Sequence, residues 1–169
     1  MHEPLYAPLP AGGIPRAALS RYLEPHTWAE IDLDALRHNF AVIQKRAGDL
    51  PLCGVVKADA YGHGAVPCAR VLARAGAAWL AVSCLAEAVE LRRAGLGLPI
   101  LILGHTAPAY ADVLIAQRIT QACFSAAYAQ QLSDAALGAG GRVQVHLKAD
   151  TGMGRIGFAL RTDFDAAVR

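Results

Sequence analysis

The chain has 169 residues, 54% of them hydrophobic, which is enough for one compact domain with a substantial core. A formal net charge of +2, without any cluster of basic residues, argues against a nucleic-acid partner. No apolar run is long enough to span a bilayer, and the four cysteines (Cys53, Cys68, Cys84 and Cys123) lack CxxC spacing. They read as small core residues of a reduced, cytoplasmic protein, not as zinc ligands or a redox pair.

Residues 1–27 form a Pro/Gly-rich N-terminal arm, with an acidic third residue and no continuous apolar segment, unlike a secretory signal. Residues 28–169 are regular. WAEIDL alternates apolar and polar residues and predicts a strand. DALRHNFAVIQKRAG then turns at helical period, with Leu36, Phe40 and Ile43 on one face, Asp34 as N-cap and Gly48 at the close. CGVVK precedes AVPCARVLARAG, WLAVS precedes LAEAVELRRAG, and ILILG precedes PAYADVLIAQR. QACFS precedes AYAQQLSDAALG, and VQVHLK ends the series. Gly76, Gly95 and Gly138 stand at the expected C-caps.

Strand–helix units repeating at roughly 20 to 27 residues predict a parallel sheet. A dinucleotide-binding fold needs GxGxxG after its first strand. YGHGAVP has Gly62 and Gly64 but continues Ala65, Val66, Pro67, so that fingerprint fails. The expected fold is α/β: a partial (β/α)8 TIM-type barrel of parallel strands alternating with helices. A complete barrel takes about 250 residues, so its C-terminal part is expected to be missing.

Side chains at the C-terminal ends of barrel strands carry the chemistry. Lys57 ends GVVK, and Lys148 with Asp150 ends VQVHLKAD. Strand parity turns Gln144, His146 and Lys148 to the barrel interior and Val143, Val145 and Leu147 toward the helices. An interior lysine must be paired, neutralised or chemically used. Lys57 either reaches out to the barrel mouth and pairs with Asp59, or forms a Schiff base with a carbonyl compound. In the second case Tyr61, with Gly62 and Gly64 beside it, suits a phosphate, and the combination points to pyridoxal 5'-phosphate. In KADTGMGRIGF, Asp150 and Thr151 favour a tight turn, and Arg155 either clamps an anion or is a solvated surface residue. His63, His105 and His146 have no metal-ligand spacing.

WAEIDLDALRHN, VVKADAYGHG, LILGHT and VHLKADTGMGRIGF, in this order, resemble the N-terminal part of bacterial alanine racemases. ILILG, ITQ and VHLKADTGMGR resemble the branch that includes alanine/serine racemases. The resemblance runs from about Trp28 to about Phe164. It implies that Lys57 holds pyridoxal phosphate as an aldimine and acts as one catalytic base, and that Tyr61 binds the cofactor phosphate. Arg155 would contact the cofactor's phenolic oxygen and the substrate carboxylate, and Lys148 would be a carbamylated lysine that holds Arg155. Asp59 stands where many members have asparagine. The implied activity is interconversion of L- and D-alanine for peptidoglycan, in a homodimer. The opposite base, a tyrosine of a C-terminal β domain, is absent, so this chain is expected to be inactive alone. Serine is the alternative substrate. The rival assignments are a basic amino-acid decarboxylase, a non-catalytic pyridoxal-phosphate-binding module and a decayed remnant.

Overall fold

Asp32 begins the regular structure. Its Oδ1 accepts the N–H groups of Asp34 and Ala35, each at 2.9 Å, and so N-caps helix α1, Leu33–Ala47. The cap is therefore Asp32 and not Asp34, which instead pairs with Arg37 in the first turn at 3.3 Å. Residues 29–32 form no strand, because the cap takes the end of the alternating segment into the helix start. Gly48, at φ 65°, closes α1 as expected. The computed structural model describes residues 29–159 and 164–165, and the arm expected over residues 1–27 lies outside them.

After α1 come strand β1 (Cys53–Val55), a turn over Lys57–Gly62, and helix α2 (Ala65–Arg74). Next are β2 (Trp79–Val82) with α3 (Leu85–Arg93), and β3 (Ile100–Ile102) with a 3-10 turn (Pro108–Tyr110) leading into α4 (Ala111–Ala116). β4 (Ile119–Cys123) with α5 (Ala126–Gly138), then β5 (Val145–Leu147), complete the series. The five strands pair in chain order, all parallel, with Val55 beside Ala81, Ala81 beside Leu101, Leu101 beside Thr120 and Ala122 beside His146. Gly76 and Gly95 take positive φ after α2 and α3, as expected. After α5 that role falls to Gly140, since Gly138 is still helical.

The sheet curls into part of a TIM-type barrel. Trp79 of β2 and His146 of β5 lie on strands separated by two others, yet their rings are 5.0 Å apart. Only a sheet rolled about its inner face brings them together. The convex face is the dry one: Leu80, Ile100, Ile102 and Ile119 are each no more than 1% exposed and pack with Leu91 of α3 and Leu114 of α4. Each contributes roughly 1.5–3 kcal/mol by removal from water. Strand parity held for β5, where Val143, Val145 and Leu147 line a groove of about 370 Å³ beside Leu132 and Ala136 of α5. Val145 keeps 44% of its surface exposed there. Cys68 and Cys123 are core residues, but Cys53 is exposed on β1, which ends the sheet, so the four cysteines do not share one environment.

Arg92, at the end of α3, fastens the lower pole of the sheet. Its Nε donates to Gln117 O at 2.8 Å, its Nη1 to Leu96 O and Leu98 O at 2.7 Å each, and its Nη2 to Arg118 O at 3.0 Å. One guanidinium thus satisfies carbonyls in the loops that feed both β3 and β4, including Arg118, which sits at φ 48°. Burial first, and the neighbouring Arg118 second, hold the Arg92 pKa below its usual value.

Two outcomes are expected. Arg92→Lys keeps the charge but loses the planar fork, and should lower unfolding free energy by about 2–4 kcal/mol with an unchanged urea slope. A loss below about 0.5 kcal/mol would show the carbonyls content with water. The second concerns Tyr128, which is buried, stacked on Phe124 at 4.6 Å, and donates to Thr106 O at 2.8 Å. Burial pushes its pKa up to about 12 from 10.0. A raised folded pKa contributes stability that is complete below pH 10.0 and lost as pH rises through about 12. Wild type should therefore exceed Tyr128→Phe by about 1 kcal/mol at neutral pH, and the gap should narrow in alkali. A constant gap up to pH 12 would contradict this assignment.

Candidate functional site

At the C-terminal end of β1 the backbone reverses its hand. Strand pairing ends with the Val56 N–H donating to Ala81 O at 2.9 Å. Lys57 then opens a turn in which Ala58, Asp59, Ala60 and Tyr61 all lie in the left-handed region, with φ between 51° and 55°. L-residues visit this region singly and at a cost of roughly 1–2 kcal/mol each, so a run of them marks a place where the surroundings dictate the backbone. Lys57 is half-buried, and its Nζ sits 5.9 Å from the centre of the largely exposed Tyr61 ring.

The expected alternative partner of Lys57 is otherwise engaged. Asp59 Oδ1 accepts the N–H of Ala65 at 2.6 Å and its carbonyl accepts Gly64 N–H at 3.0 Å, so it caps α2 from outside the helix. No ion pair joins it to Lys57. An asparagine oxygen would accept the same bond. Gly64 holds φ 86°, and a Cβ there would meet Pro67 Cγ at 2.8 Å. His63 Nδ1 donates to Ala60 O at 2.8 Å inside the same turn, as befits a loop residue. Among the described residues no group of His, Cys, Asp or Glu could hold a metal ion.

The turn is tied to the next unit by Glu87, which sequence reasoning passed over. Its Oε1 accepts Ala58 N–H at 2.8 Å, while Oε2 accepts the Ser83 N–H at 2.7 Å and the Ser83 hydroxyl at 2.8 Å. Burial alone would push its pKa up. The donors Ser83 N–H, Ala58 N–H, Ser83 Oγ–H and Cys84 N–H outweigh burial and hold the carboxyl below its usual range. A signal was present: Cys84 is the N-cap of α3 and Glu87 stands at its third position, where a capping-box carboxylate belongs. What the spacing cannot show is that the same carboxylate reaches the residue after Lys57.

At β5 the second half of the site is built around Asp150. Its Oδ1 accepts Gly152 and Gly154 N–H at 3.0 Å each, and its Oδ2 accepts Arg155 N–H at 3.1 Å. Those bonds, Gly154 and Gly152 foremost, hold its pKa below the ordinary carboxylate value. The loop closes where Phe158 N–H donates to Lys148 O at 2.8 Å and Asp150 N–H to Phe158 O at 3.0 Å. Gly157 permits the closure: at φ 150°, a Cβ would strike Asp150 N at 2.7 Å. The expected Asp150 turn is thus present, while Thr151 is exposed. Arg155 leaves this frame with an exposed side chain, and Lys148, half-buried on the concave face, donates from Nζ to Leu103 O at 3.3 Å. The structure brings Lys57 to Tyr61 and Lys148 to the end of β3. No hydrogen bond joins Lys148 to Arg155, or either of them to Lys57.

An amine, a phenol and a guanidinium around one barrel mouth can hold, respectively, a carbonyl carbon, a phosphate and a second anion. Comparison with known proteins bears on the fold and the family. Residues 31–169 match the family described as alanine racemase, N-terminal domain. The alanine racemase of Desulforamulus reducens is 52% identical over 132 residues, 78% of this chain and 36% of that enzyme. A structure of Clostridium difficile alanine racemase in complex with cycloserine is 40% identical with a TM-score of 0.80, over 86% of this chain and 41% of that one. A histidine racemase from Leuconostoc mesenteroides is 35% identical with a TM-score of 0.79, over 85% of this chain and 39% of that one. The chain therefore spans about a third of the length of the curated relatives it matches. On the match over residues 31–169 and the shared fold, this chain belongs to the alanine racemase family, to the part of it formed by the N-terminal domain.

Proposed function

We propose that these residues form the cofactor-anchoring part of a pyridoxal-phosphate-dependent amino-acid racemase whose substrate is alanine, supplying D-alanine for peptidoglycan inside the cell. The observation that carries this reading is the left-handed turn that presents Lys57 and Tyr61 together at the mouth of a family-typical partial barrel. The donor set fits the cofactor: Lys57 for its aldehyde, Tyr61 for its phosphate, and Arg155 for its ring oxygen and the substrate carboxylate. When bound, the cofactor supplies an electron sink that makes the substrate Cα proton removable.

The chain's own residues divide the remaining work. Lys57 Nζ takes or returns a proton on one face of the substrate. Tyr61 donates a hydrogen bond to the phosphate. Asp150 fixes the backbone of Arg155, so that its side chain starts from a defined point. Lys148, carbamylated, would present an anion to hold the guanidinium of Arg155. Racemisation needs a second acid–base group on the opposite face, which in this reading is a tyrosine of a C-terminal β domain reached across a homodimer interface. The chain alone should therefore bind cofactor and turn over little alanine. Serine is the runner-up substrate, and the histidine racemase relative makes histidine a necessary control.

Incubating the purified chain with pyridoxal phosphate and reducing with borohydride should leave a pyridoxyl label on Lys57, lost in Lys57→Ala. Tyr61→Phe should weaken cofactor binding by about 10–100-fold, the range for one hydrogen bond to a charged group. Absence of label on Lys57 would overturn the reading. Cofactor-dependent racemisation of alanine by the chain alone would overturn the requirement for an opposing group, and faster turnover of serine or histidine would reassign the substrate.

A further inference from the structure

Four neighbouring L-residues at left-handed φ would relax to the right-handed form if nothing outside the turn opposed it. Bonds inside the turn do not choose the hand. Ala60 N–H to Val56 O, at 3.0 Å, is the ordinary helical spacing, and its mirror image forms equally well in a right-handed turn. Asp59 ties the far end to α2, the element that follows directly in sequence. The near end, next to Lys57, is fixed by one side chain from another βα unit. Ala58 N–H donates to Glu87 Oε1 at 2.8 Å, across 29 positions of sequence. Ser83 in turn grips Oε2 with both its N–H and its hydroxyl. The carboxylate is a rigid link from the end of β2 to the residue after Lys57.

We propose that Glu87 is the positioning residue for Lys57: held by Ser83, its carboxylate takes the Ala58 N–H and so sets the hand of the turn that presents Lys57 and Tyr61. The role rests on the reading of Lys57 as the cofactor anchor, but it belongs to a residue that does not itself meet the cofactor. It also explains why a carboxylate is needed. Glu87 accepts from two backbone N–H groups on its two oxygens. A glutamine of the same shape accepts on one oxygen only, and its amide N–H₂ would face a donor. Glu87→Gln must therefore lose one of the two backbone bonds, whereas Glu87→Asp keeps both acceptors on a shorter stem.

The test compares wild type, Glu87→Gln, Glu87→Asp and Ser83→Ala as purified chains, with two readouts. The first is the rate of borohydride-trapped pyridoxyl labelling of Lys57, with Lys45, exposed in the last turn of α1, as internal control. The second is amide hydrogen exchange of Ala58 without cofactor, with Leu91 in the core of α3 as control. Glu87→Gln should slow Lys57 labelling and speed Ala58 exchange by about 10–100-fold each, leaving both controls unchanged. Glu87→Asp should recover part of both, and Ser83→Ala should show a smaller parallel loss. A merely structural role would move Leu91 along with Ala58. If Glu87→Gln does not fold, Ser83→Ala carries the test, and its matching wild type in both readouts overturns the proposal. Wild-type labelling rates in Glu87→Gln overturn the role of Glu87 alone. Wild type without label on Lys57 overturns the cofactor reading and this role with it.

Discussion

Lys57 is presented by a turn and not by the strand that precedes it. Had β1 continued through Lys57, alternation would have put the side chain on the concave wall, with its backbone locked in the sheet. The left-handed turn lifts Lys57 and Tyr61 out of that pattern and brings the amine within 5.9 Å of the phenol ring. The rest of the site follows from keeping the turn in its disfavoured hand. Asp59 spends its carboxylate on α2, Glu87 spends its own on Ala58, and Gly62 and Gly64 take the positive φ values that end the turn. Each of these residues has a conformational duty before it has any chemical one.

The polarity of the backbone explains which side chains do this work. In a parallel βα array every strand ends, and every helix begins, at the same pole, so that pole is rich in unpaired N–H groups. Carboxylates meet them there: Asp59 at Ala65, Glu87 at Ser83 and Ala58, and Asp150 at Gly152, Gly154 and Arg155. At the opposite pole helices end and carbonyls are left over, and Arg92 collects four of them. The upper pole therefore suits an anionic ligand for the same reason that it attracts structural carboxylates.

Periodicity made the strand–helix order, the parallel sheet and the inward face of β5 legible, because each is a repeating property of many residues. Lys57 and Lys148 stood out as lysines at strand ends, and the resemblance added roles for Tyr61 and Arg155 in the glycine-rich loops beyond them. What escaped was specific and non-local. The start of α1 depends on whether Asp32 or Asp34 turns its carboxylate onto the first free N–H groups, and both fit the spacing. The hand of the Lys57 turn is invisible in KADAYG: of the four residues in the left-handed region, Ala58, Ala60 and Tyr61 do not favour it and Asp59 does so only singly. Glu87 looks like an ordinary capping residue until the curl of the sheet sets its α3 beside the end of β1. Arg92 is one of two adjacent arginines, and only the loops after α3 and α4 decide which of them is used.

The two halves of the mouth solve opposite problems. At β1 the difficulty is an unfavourable backbone, and the answer is a link to a neighbouring βα unit, because a local bond cannot set the hand. At β5 the difficulty is a glycine-rich loop with many available conformations, and the answer is local. Asp150 gathers three N–H groups within five residues, and Gly157 lets the chain return against its own strand. The difference has a consequence for how the site tolerates change. The geometry of Arg155 depends on one short segment and survives alterations elsewhere in the sheet. That of Lys57 depends on the packing of β1 against β2 and α3, so any change that shifts those elements reaches the lysine through Glu87.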